Sequence, residues 1–286
     1  MQTIAIIIAI CVAAGILFWR SGLITKNKLG KVKDSLQNLF VRAEKRGLFR
    51  KMAAFETDYR SEYPHFSILE DNFETIQTEC RQLLEIKDRL PNVEKIGGKH
   101  TAGGIHSIKW KSFMFKSGSF IPENCEMAPQ TAALLARIPN VYNAFFSVLD
   151  PHQYIKPHFG YWKGFVRYHL GVVIPNDNQD NCCWLRVNPS IQNNPNNRVG
   201  FERKTQLVEQ GEKYFWHEGR GVIFDDYNLH DAANESDQIR VVLWIDIARV
   251  MPWYLHVMNK LLLGVAYMES SVRRIRSDAK VAKSES

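Results

Sequence analysis

The apolar positions divide the chain into an uncharged amino-terminal stretch, a helical segment and a long region of short strands. Residues 3–19 (TIAIIIAICVAAGILFW) carry no charge. About 17 residues at a rise of roughly 1.5 Å each lie at the low end of what spans a bilayer. Residues 56–90 place apolar side chains near helical periodicity and stop at Pro91, which predicts a helical segment there.

From Trp110 onward the apolar residues form short runs separated by turn-forming residues. The runs are KWKSFMF, NAFFSVL, GFVRYHLGVVIP, CCWLRV, KYFW, GVIFDD and IRVVLWIDI. Many short strands with turn signals between them predict a mainly β barrel or sandwich. The asparagine-rich residues 176–197 predict a long loop between two strands, and the insertion 176–212 is a candidate lid over a site.

The charges around the first apolar segment favour an uncleaved membrane anchor over residues 1–22. No Lys or Arg precedes residues 3–19, whereas Arg20 and several lysines follow them. A cleaved signal peptide normally carries its basic residues first, so a signal peptide and a buried core helix are the less favoured alternatives. The positive-inside rule then predicts a single-pass protein whose catalytic domain lies on the cytoplasmic side.

The net charge of +7 is unevenly distributed. Residues 1–51 carry +8 and residues 249–286 carry +4, which leaves −5 for the middle of the chain. Residues 23–60 and 249–286 combine basic charge with apolar residues at near-helical spacing, as membrane-surface helices do. Ordinary solvated helices packed on the domain are the alternative. A nucleic-acid partner is not expected, because the middle region is acidic and carries no nucleic-acid-binding motif.

Composition supports one folded domain, predicted at residues 61–248. The chain is 45% hydrophobic and 23% charged, which excludes an intrinsically disordered protein. A mean hydropathy of −0.27 excludes a protein with many membrane spans. The five cysteines include no Cys-x-x-Cys pair, which is typical of a reducing compartment.

Histidine and arginine within the apolar runs are the candidate chemical groups. Arg167 and His169 are two residues apart in a predicted strand and therefore share one face. If that face points inward, the pair needs a buried anion. Arg240 opens an otherwise apolar strand, and an unpaired guanidinium there would be costly, so it too implies a carboxylate partner.

Several motifs in order resemble one family. The chain has His-x-Gly at His158, Arg-x-His-Leu-Gly from Arg167, Phe-Asp-Asp followed by His230, and Arg-Val-Val-Leu from Arg240. Over about residues 110–248 this pattern resembles the aspartyl/asparaginyl β-hydroxylase family. The resemblance implies Fe(II)- and 2-oxoglutarate-dependent dioxygenases on a double-stranded β-helix, a jelly-roll or cupin-like core with flanking α-helices. The family includes membrane-bound lipid A hydroxylases.

The resemblance also implies a role for each matching residue. His158 and His230 match the two iron ligands, and Arg240 matches the residue that grips the distal carboxylate of 2-oxoglutarate. Arg167, His169 and Ser147 match further co-substrate contacts. Many oxygenases place a carboxylate ligand two residues after the first histidine. Here that position is Gly160, as in the aspartyl/asparaginyl hydroxylases and as in iron halogenases. Asp225 and Asp226 are candidate substitute ligands, although a turn before His230 is the favoured interpretation.

These features predict a membrane-anchored hydroxylase that requires Fe(II), 2-oxoglutarate and O₂. The predicted substrate is an unactivated C–H bond in the acyl chain of a membrane lipid, with the bilayer as partner. Hydroxylation of Asp or Asn side chains in a peptide or protein is the alternative. A non-catalytic, membrane-tethered binding module is the alternative of a different class.

Overall fold

The computed structural model describes most of the chain beyond the first apolar segment. The described residues are 37–93, 109–193, 199–268 and 270–281. The predicted anchor over residues 1–22 and the first part of the basic segment lie outside them. Among the described residues no helix is long and apolar enough to cross a membrane.

Ten β-strands form two antiparallel sheets. In chain order they are β1 (Trp110–Ser117), β2 (Ser119–Phe120), β3 (Val141–Leu149), β4 (Gln153–His158), β5 (Phe165–Val173), β6 (Cys183–Gln192), β7 (Glu212–Phe215), β8 (Gly221–Phe224), β9 (Asn228–Asn234) and β10 (Arg240–Ala248). One sheet has the order β2-β1-β3-β10-β5-β8, and the other has the order β4-β9-β6-β7.

The strand order is that of a jelly roll. The chain alternates between the sheets so that β3-β10-β5-β8 lies in one sheet and β4-β9-β6-β7 in the other. Two four-stranded sheets connected in this way form a closed double layer. The prediction of a mainly β protein is therefore confirmed, and the strand order agrees with the expected double-stranded β-helix.

Short helices flank the sheets. They are α1 (Ser67–Asp71), α2 (Phe73–Leu84), α3 (Pro122–Cys125), α4 (Pro129–Ala136), α5 (Phe201–Val208), α6 (Trp253–Met268) and α7 (Ser270–Asp278), with 3₁₀ turns at Pro64–Phe66, Lys87–Arg89 and Pro175–Asn178. Residues 37–45 form a further helix before them. The predicted helical segment 56–90 therefore begins only at Pro64. It breaks at Asn72, whose side-chain amide donates to the Ile68 carbonyl.

Two apolar layers stabilise the arrangement. Between the sheets lie the inward side chains Trp110, Ile155, Leu185, Val187, Trp216, Phe224 and Val242. The outer face of the larger sheet packs against α1, α2 and α4 through Phe66, Ile76, Leu135, Phe146 and Tyr168. Phe66 and Tyr168 stack with ring centroids 3.9 Å apart. Because helices cover its outer face, this sheet is buried on both sides.

The long loop predicted at 176–197 is wrong, because β6 occupies Cys183–Gln192. Every second residue from Cys183 to Val187 belongs to the apolar layer between the sheets, so the segment pairs as an inner strand despite its asparagines. Residues Cys183–Gln192 of the candidate lid 176–212 are therefore sheet. The same insertion also contains α5, which packs against β4, β6 and β9.

The carboxy-terminal segment packs on the domain through its apolar face. Leu255 and Met258 of α6 are buried in one cluster with Phe40 of the helix 37–45 and with Trp162. This packing agrees with the alternative prediction, in which the basic carboxy-terminal segment is a solvated helix packed on the domain. The opposite face of α6 leaves Trp253 and Val257 exposed.

Candidate active site

One cavity between the two sheets is lined by all six residues that the resemblance assigns to the iron and the co-substrate. Its lining includes His158, His230, Arg240, Arg167, His169 and Ser147. The other lining residues are apolar or aromatic, among them Trp110, Trp216, Phe224 and Trp244. Six side chains from five strands thus converge on one largely apolar space.

His158 and His230 face each other across the pairing of β4 and β9. They are register partners, and their ring centroids lie 4.2 Å apart. Each Nδ1–H donates to the backbone carbonyl two residues earlier, at 2.8 Å, in Lys156 and Asn228 respectively. These bonds direct both Nε2 lone pairs into the cavity. The His230 Nε2 atom is buried and has no hydrogen-bond partner.

Both imidazoles are neutral at physiological pH. Burial lowers the pKa of the half-buried His158 to about 4. Burial, followed by the proximity of His158, lowers the pKa of His230 well below its usual value. Neutral imidazole is the form that binds a transition metal, and a hydrogen bond from the opposite nitrogen is the usual way to orient such a ligand.

Arg240 is a buried cation to which no carboxylate of the described residues is paired. It is 2% exposed, and its guanidinium carbon lies 4.5 Å from the centre of the Trp216 ring. The Nε atom has no hydrogen-bond partner. Burial lowers the pKa of Arg240 to about 10. The carboxylate partner implied by the sequence is therefore not supplied by the described part of the chain.

Arg167, by contrast, is satisfied within the protein. Its Nε–H donates to Asp246 Oδ1 at 2.9 Å, and its Nη2 lies 2.9 Å from Asp226 Oδ2. The guanidinium also lies 3.7 Å from the centre of the Trp244 ring. The inward anion expected for Arg167 is thus two aspartates, one from β10 and one from the turn before β9.

His169 and Ser147 also line the cavity. Neither ring nitrogen of His169 has a hydrogen-bond partner, although the residue is buried. Burial and the cations Arg167 and Arg240 lower its pKa well below the usual value. Ser147 Oγ accepts a hydrogen bond from Trp110 Nε1 at 2.9 Å. Both side chains therefore have polar capacity left for a bound molecule.

Gly160 occupies the position where other oxygenases carry a third metal ligand. A Cβ atom at Gly160 would overlap the Asp226 carboxylate, and the Gly160 N–H donates to the Asp226 carbonyl at 2.6 Å. Asp226 is itself buried, which raises its pKa to about 7, and its Oδ1 atom has no hydrogen-bond partner. The described residues contain no group of three His, Cys, Asp or Glu placed to hold a metal.

A buried chain of ion pairs holds the loops around the two histidines. Lys163, in the loop after His158, lies 2.7 Å from Glu44 and 2.6 Å from Asp225. Asp225, in the turn before His230, also lies 2.6 Å from Arg249. Burial opposes its ionisation, but Arg249 and Lys163 hold the pKa of Asp225 below its usual range. Asp225 is therefore a structural ion-pair partner in this turn.

Sequence reasoning missed the aromatic walls and the counterions. Trp216 and Trp244 flank His169 with ring centroids 5.8 and 5.1 Å away. Asp246 lies one residue past the tryptophan-isoleucine pair of β10, and only the pairing of β10 with β5 brings it opposite Arg167. No local motif signals these contacts, because each joins residues far apart in the chain.

The family model for aspartyl/asparaginyl β-hydroxylases matches residues 70–250. An ornithine lipid ester-linked acyl 2-hydroxylase from Rhizobium tropici is 25% identical over 205 residues, covering 71% of this chain and 64% of the relative. The human aspartate β-hydroxylase domain-containing protein 2 is 32% identical over 192 residues, covering 63% of this chain and 43% of the relative. The chain thus spans less than two thirds of the length of either relative.

Among solved structures, a non-haem α-ketoglutarate-dependent carbocyclase from nogalamycin biosynthesis aligns with a TM-score of 0.41 and 13% identity. The alignment covers 62% of this chain and 75% of the carbocyclase. A Pseudomonas putida prolyl-4-hydroxylase aligns with a TM-score of 0.36 and 14% identity, covering 63% of this chain and 87% of that chain. At these scores the fold assignment rests on the strand order alone.

Proposed function

Because this chain belongs to the aspartyl/asparaginyl β-hydroxylase family, we propose that it is an Fe(II)- and 2-oxoglutarate-dependent hydroxylase of a membrane-lipid acyl chain. The observation that carries the proposal is the cavity itself. Two neutral imidazoles line one part of it, and the Nε2 atom of His230 has no hydrogen-bond partner. Another part is lined by the guanidinium of Arg240, which no carboxylate of the described residues neutralises.

The histidine pair fits a metal such as Fe(II). Their Nδ1–H bonds to backbone carbonyls fix the tautomer and leave Nε2 as the donor atom. A site with only two protein ligands leaves the remaining coordination positions to the co-substrate, O₂ and water. In this proposal His158 and His230 are the metal ligands, and Asp226 keeps Gly160 from carrying a third.

Arg240 fits the distal carboxylate of 2-oxoglutarate. Its fork of N–H donors matches a carboxylate, and the low polarity around Trp216 strengthens the interaction. Ser147 and His169 supply further polar contacts to the same molecule. Arg167 is a positioning residue in this scheme, because its contacts with Asp226 and Asp246 set the shape of the cavity beside the histidines.

When bound, Fe(II) and 2-oxoglutarate together activate O₂ to insert one oxygen atom into a C–H bond. His158 and His230, oriented by their Nδ1–H bonds, would hold the metal, and Arg240 would hold the co-substrate. The aromatic lining from Trp110, Trp216 and Phe224 excludes bulk water, which protects a reactive site from side reactions. The reactive chemistry belongs to the bound groups, and the protein supplies orientation and a dry cavity.

Several features support a lipid substrate at a membrane. One relative is named an acyl hydroxylase of ornithine lipid. The uncharged residues 3–19 suit a single-pass anchor, and the basic residues after them suit an anionic cytoplasmic face. Hydroxylation of Asp or Asn side chains is the second candidate, favoured by the 32% identity to a relative named for aspartate β-hydroxylation.

The full-length protein in lipid nanodiscs, supplied with Fe(II), 2-oxoglutarate and O₂, tests these candidates. We expect succinate formation and the mass gain of one oxygen atom in an added bacterial lipid extract. The same gain on Asp- or Asn-containing peptides, with lipids unchanged, would select the second candidate.

His230→Ala should abolish both products, whereas His152→Ala, which alters an exposed histidine outside the cavity, should retain them. Succinate formation that persists in His158→Ala and His230→Ala would refute the site assignment. Absence of succinate and of iron in the wild type would leave a non-catalytic binding module.

A further inference from the structure

We propose that one end of the molecule is a bilayer-docking surface for anionic lipid, placed beside the mouth of the cavity. The docking surface consists of the helix 37–45, the turn that follows it to residue 51, and residues 249–260. This inference rests on the proposed membrane function and names the element that sets the cavity against the bilayer.

The docking surface gathers most of the exposed apolar side chains. Of eight large hydrophobic residues exposed among the described residues, five lie here, each between 38% and 49% exposed. They are Leu39, Leu48, Val250, Trp253 and Val257. Exposed apolar groups concentrated in one place mark an interaction site, whereas scattered ones do not.

Packing beneath the surface makes it one continuous unit. Leu48 and Val250 line the same surface cleft, so the turn and the β10–α6 connection adjoin. Below them, Phe49 shares a buried cluster with Leu255 and Met258. The exposed apolar groups therefore lie on segments that are packed into the domain.

The exposed charge on this surface is positive. Arg42, Lys45, Arg46 and Lys51 are exposed, and none is paired with an acidic group of the described residues. On α6, Lys260 follows Trp253 and Val257 at helical spacing, so the three share one exposed face. The acidic Glu44 is instead buried against Lys163. Apolar residues framed by basic ones fit the interface of an anionic bilayer.

Strand register places this surface at the end of β10 that lies away from Arg240. β10 begins at Arg240, and its other end, Ala248, pairs with Phe165 of β5. At the second end the chain enters α6, so the docking surface and Arg240 lie at opposite ends of the strand. Eight residue steps at roughly 3.3 Å each separate them by about 26 Å.

The loop after His158 touches the docking surface directly. The Gln37 side-chain amide donates to the Tyr161 carbonyl, and its oxygen accepts from the Lys163 N–H at 2.8 Å. The helix 37–45 therefore borders the loop that follows His158. An acyl chain leaving the bilayer here would reach the two histidines before Arg240.

The residues that precede the docking surface also favour a bilayer as its occupant. Residues 3–19 are uncharged, and the basic residues 20–33 link them to the helix at residue 37. Insertion of the first segment would bring the docking surface to the same membrane face. Two other occupants are residues 3–19 folding back over the patch and a second copy of the chain.

Thiol accessibility in full-length protein tests the proposal. Val257→Cys and Gln238→Cys variants are reconstituted in nanodiscs of phosphatidylcholine alone or mixed with phosphatidylglycerol. Alkylation of each introduced thiol by a water-soluble maleimide is then followed by mass spectrometry. Gln238 is exposed at the opposite end of β10 and serves as the control site. Thermal melting of each variant confirms its fold.

We expect alkylation at position 257 to be roughly fivefold slower or more in the anionic discs, and at position 238 to be unchanged. Lys45→Glu with Lys51→Glu should restore the rate at 257, whereas Arg81→Glu with Lys109→Glu should not. Equal rates at 257 in both lipids, fast or slow, would overturn the proposal, and a slow rate would indicate protein covering the patch. No readout depends on catalysis, so failure here leaves the proposed hydroxylase function standing.

Discussion

Arg240 is the residue whose environment most needs a ligand. A buried ion without a counterion costs several kcal/mol of folding free energy, and Trp216 compensates for only part of that cost. Arg167 is buried to a similar extent, but the carboxylates of Asp226 and Asp246 pair with it. Arg167 is therefore a cation neutralised within the fold, whereas no carboxylate of the described residues neutralises Arg240.

Replacing Arg240 should separate co-substrate binding from stability. Arg240→Leu is expected to raise the apparent KM for 2-oxoglutarate by roughly 30-fold or more, since truncating one partner of a buried charge pair costs about 2–5 kcal/mol. Because the uncompensated charge is also removed, the melting temperature without 2-oxoglutarate should rise. Arg240→Lys keeps the charge but loses the fork and should show an intermediate KM. An unchanged KM in the leucine variant would contradict the assignment.

The cavity histidines also predict acid sensitivity of the metal-free protein. His158, His169 and His230 have pKa values lowered by burial, to about 4 for His158. The unfolded chain takes up protons at these side chains near pH 6.5, before the folded chain does. Their contribution to the free energy of unfolding is therefore complete above pH 6.5 and is lost as the pH decreases towards 4. Asp226, whose pKa burial raises to about 7, opposes one of the three over this range. The net free energy of unfolding should still fall from pH 6.5 to 4. Urea unfolding at a series of pH values measures this slope.

His169→Gln should reduce that slope, because one neutral buried imidazole is removed. His65→Gln, at a 3₁₀ turn on the surface, provides the matched control and should leave the slope unchanged. A wild-type free energy of unfolding that is flat from pH 6.5 to 4 would show that these side chains are solvated in the folded state.

Among the secondary-structure elements, the hydrophobic pattern predicted the apolar strands of the core. It missed β4 and β9, which carry the histidine pair. β4 (Gln153–His158) and β9 (Asn228–Asn234) have few aliphatic residues, and β4 contains Pro157. Their inward positions hold His158 and His230 where a core strand would hold Val or Ile. Hydrophobic periodicity therefore could not find them, and only the spaced motifs pointed to these residues.

The buried ion chain joins four elements around the site. Glu44 belongs to the helix 37–45 and Lys163 to the β4–β5 loop. Asp225 belongs to the β8–β9 turn, and Arg249 directly follows β10. None of these partners is close to another in sequence, so the network could not be predicted from local patterns. It ties the helix 37–45, which belongs to the predicted basic segment 23–60, to the β4–β5 loop and the β8–β9 turn.

Lys163 should be a large contributor to stability. Lys163→Met leaves Glu44 and Asp225 buried without their shared cation, and loss of one partner of a buried pair costs about 3–5 kcal/mol. Urea unfolding should show this loss. In the double variant Lys163→Met with Glu44→Gln, the loss should be smaller than the sum of the single losses. Full additivity would mean that the two side chains do not interact, and Lys109→Met, at an exposed site, should be neutral.

In the molecule as a whole, the docking surface carries both exposed basic residues and exposed apolar residues. The basic ends of the chain flank an acidic middle region. Part of both ends meets in the structure, where the helix 37–45 packs against α6. The sequence left open whether the carboxy-terminal helix lies on a membrane or on the domain. Its buried face, with Leu255, lies on the domain, and its outer face carries Trp253 and Val257.

We propose that His158 and His230 hold one Fe(II) and that Arg240 binds the distal carboxylate of its co-substrate. Anaerobic titration of the full-length protein with Fe(II) and 2-oxoglutarate, followed by iron analysis after gel filtration, measures this binding. We expect one Fe(II) per wild-type chain and per His152→Ala chain, and loss of iron in the double variant His158→Ala with His230→Ala. Retention of one Fe(II) by a folded double variant would rule out this pair as the iron ligands.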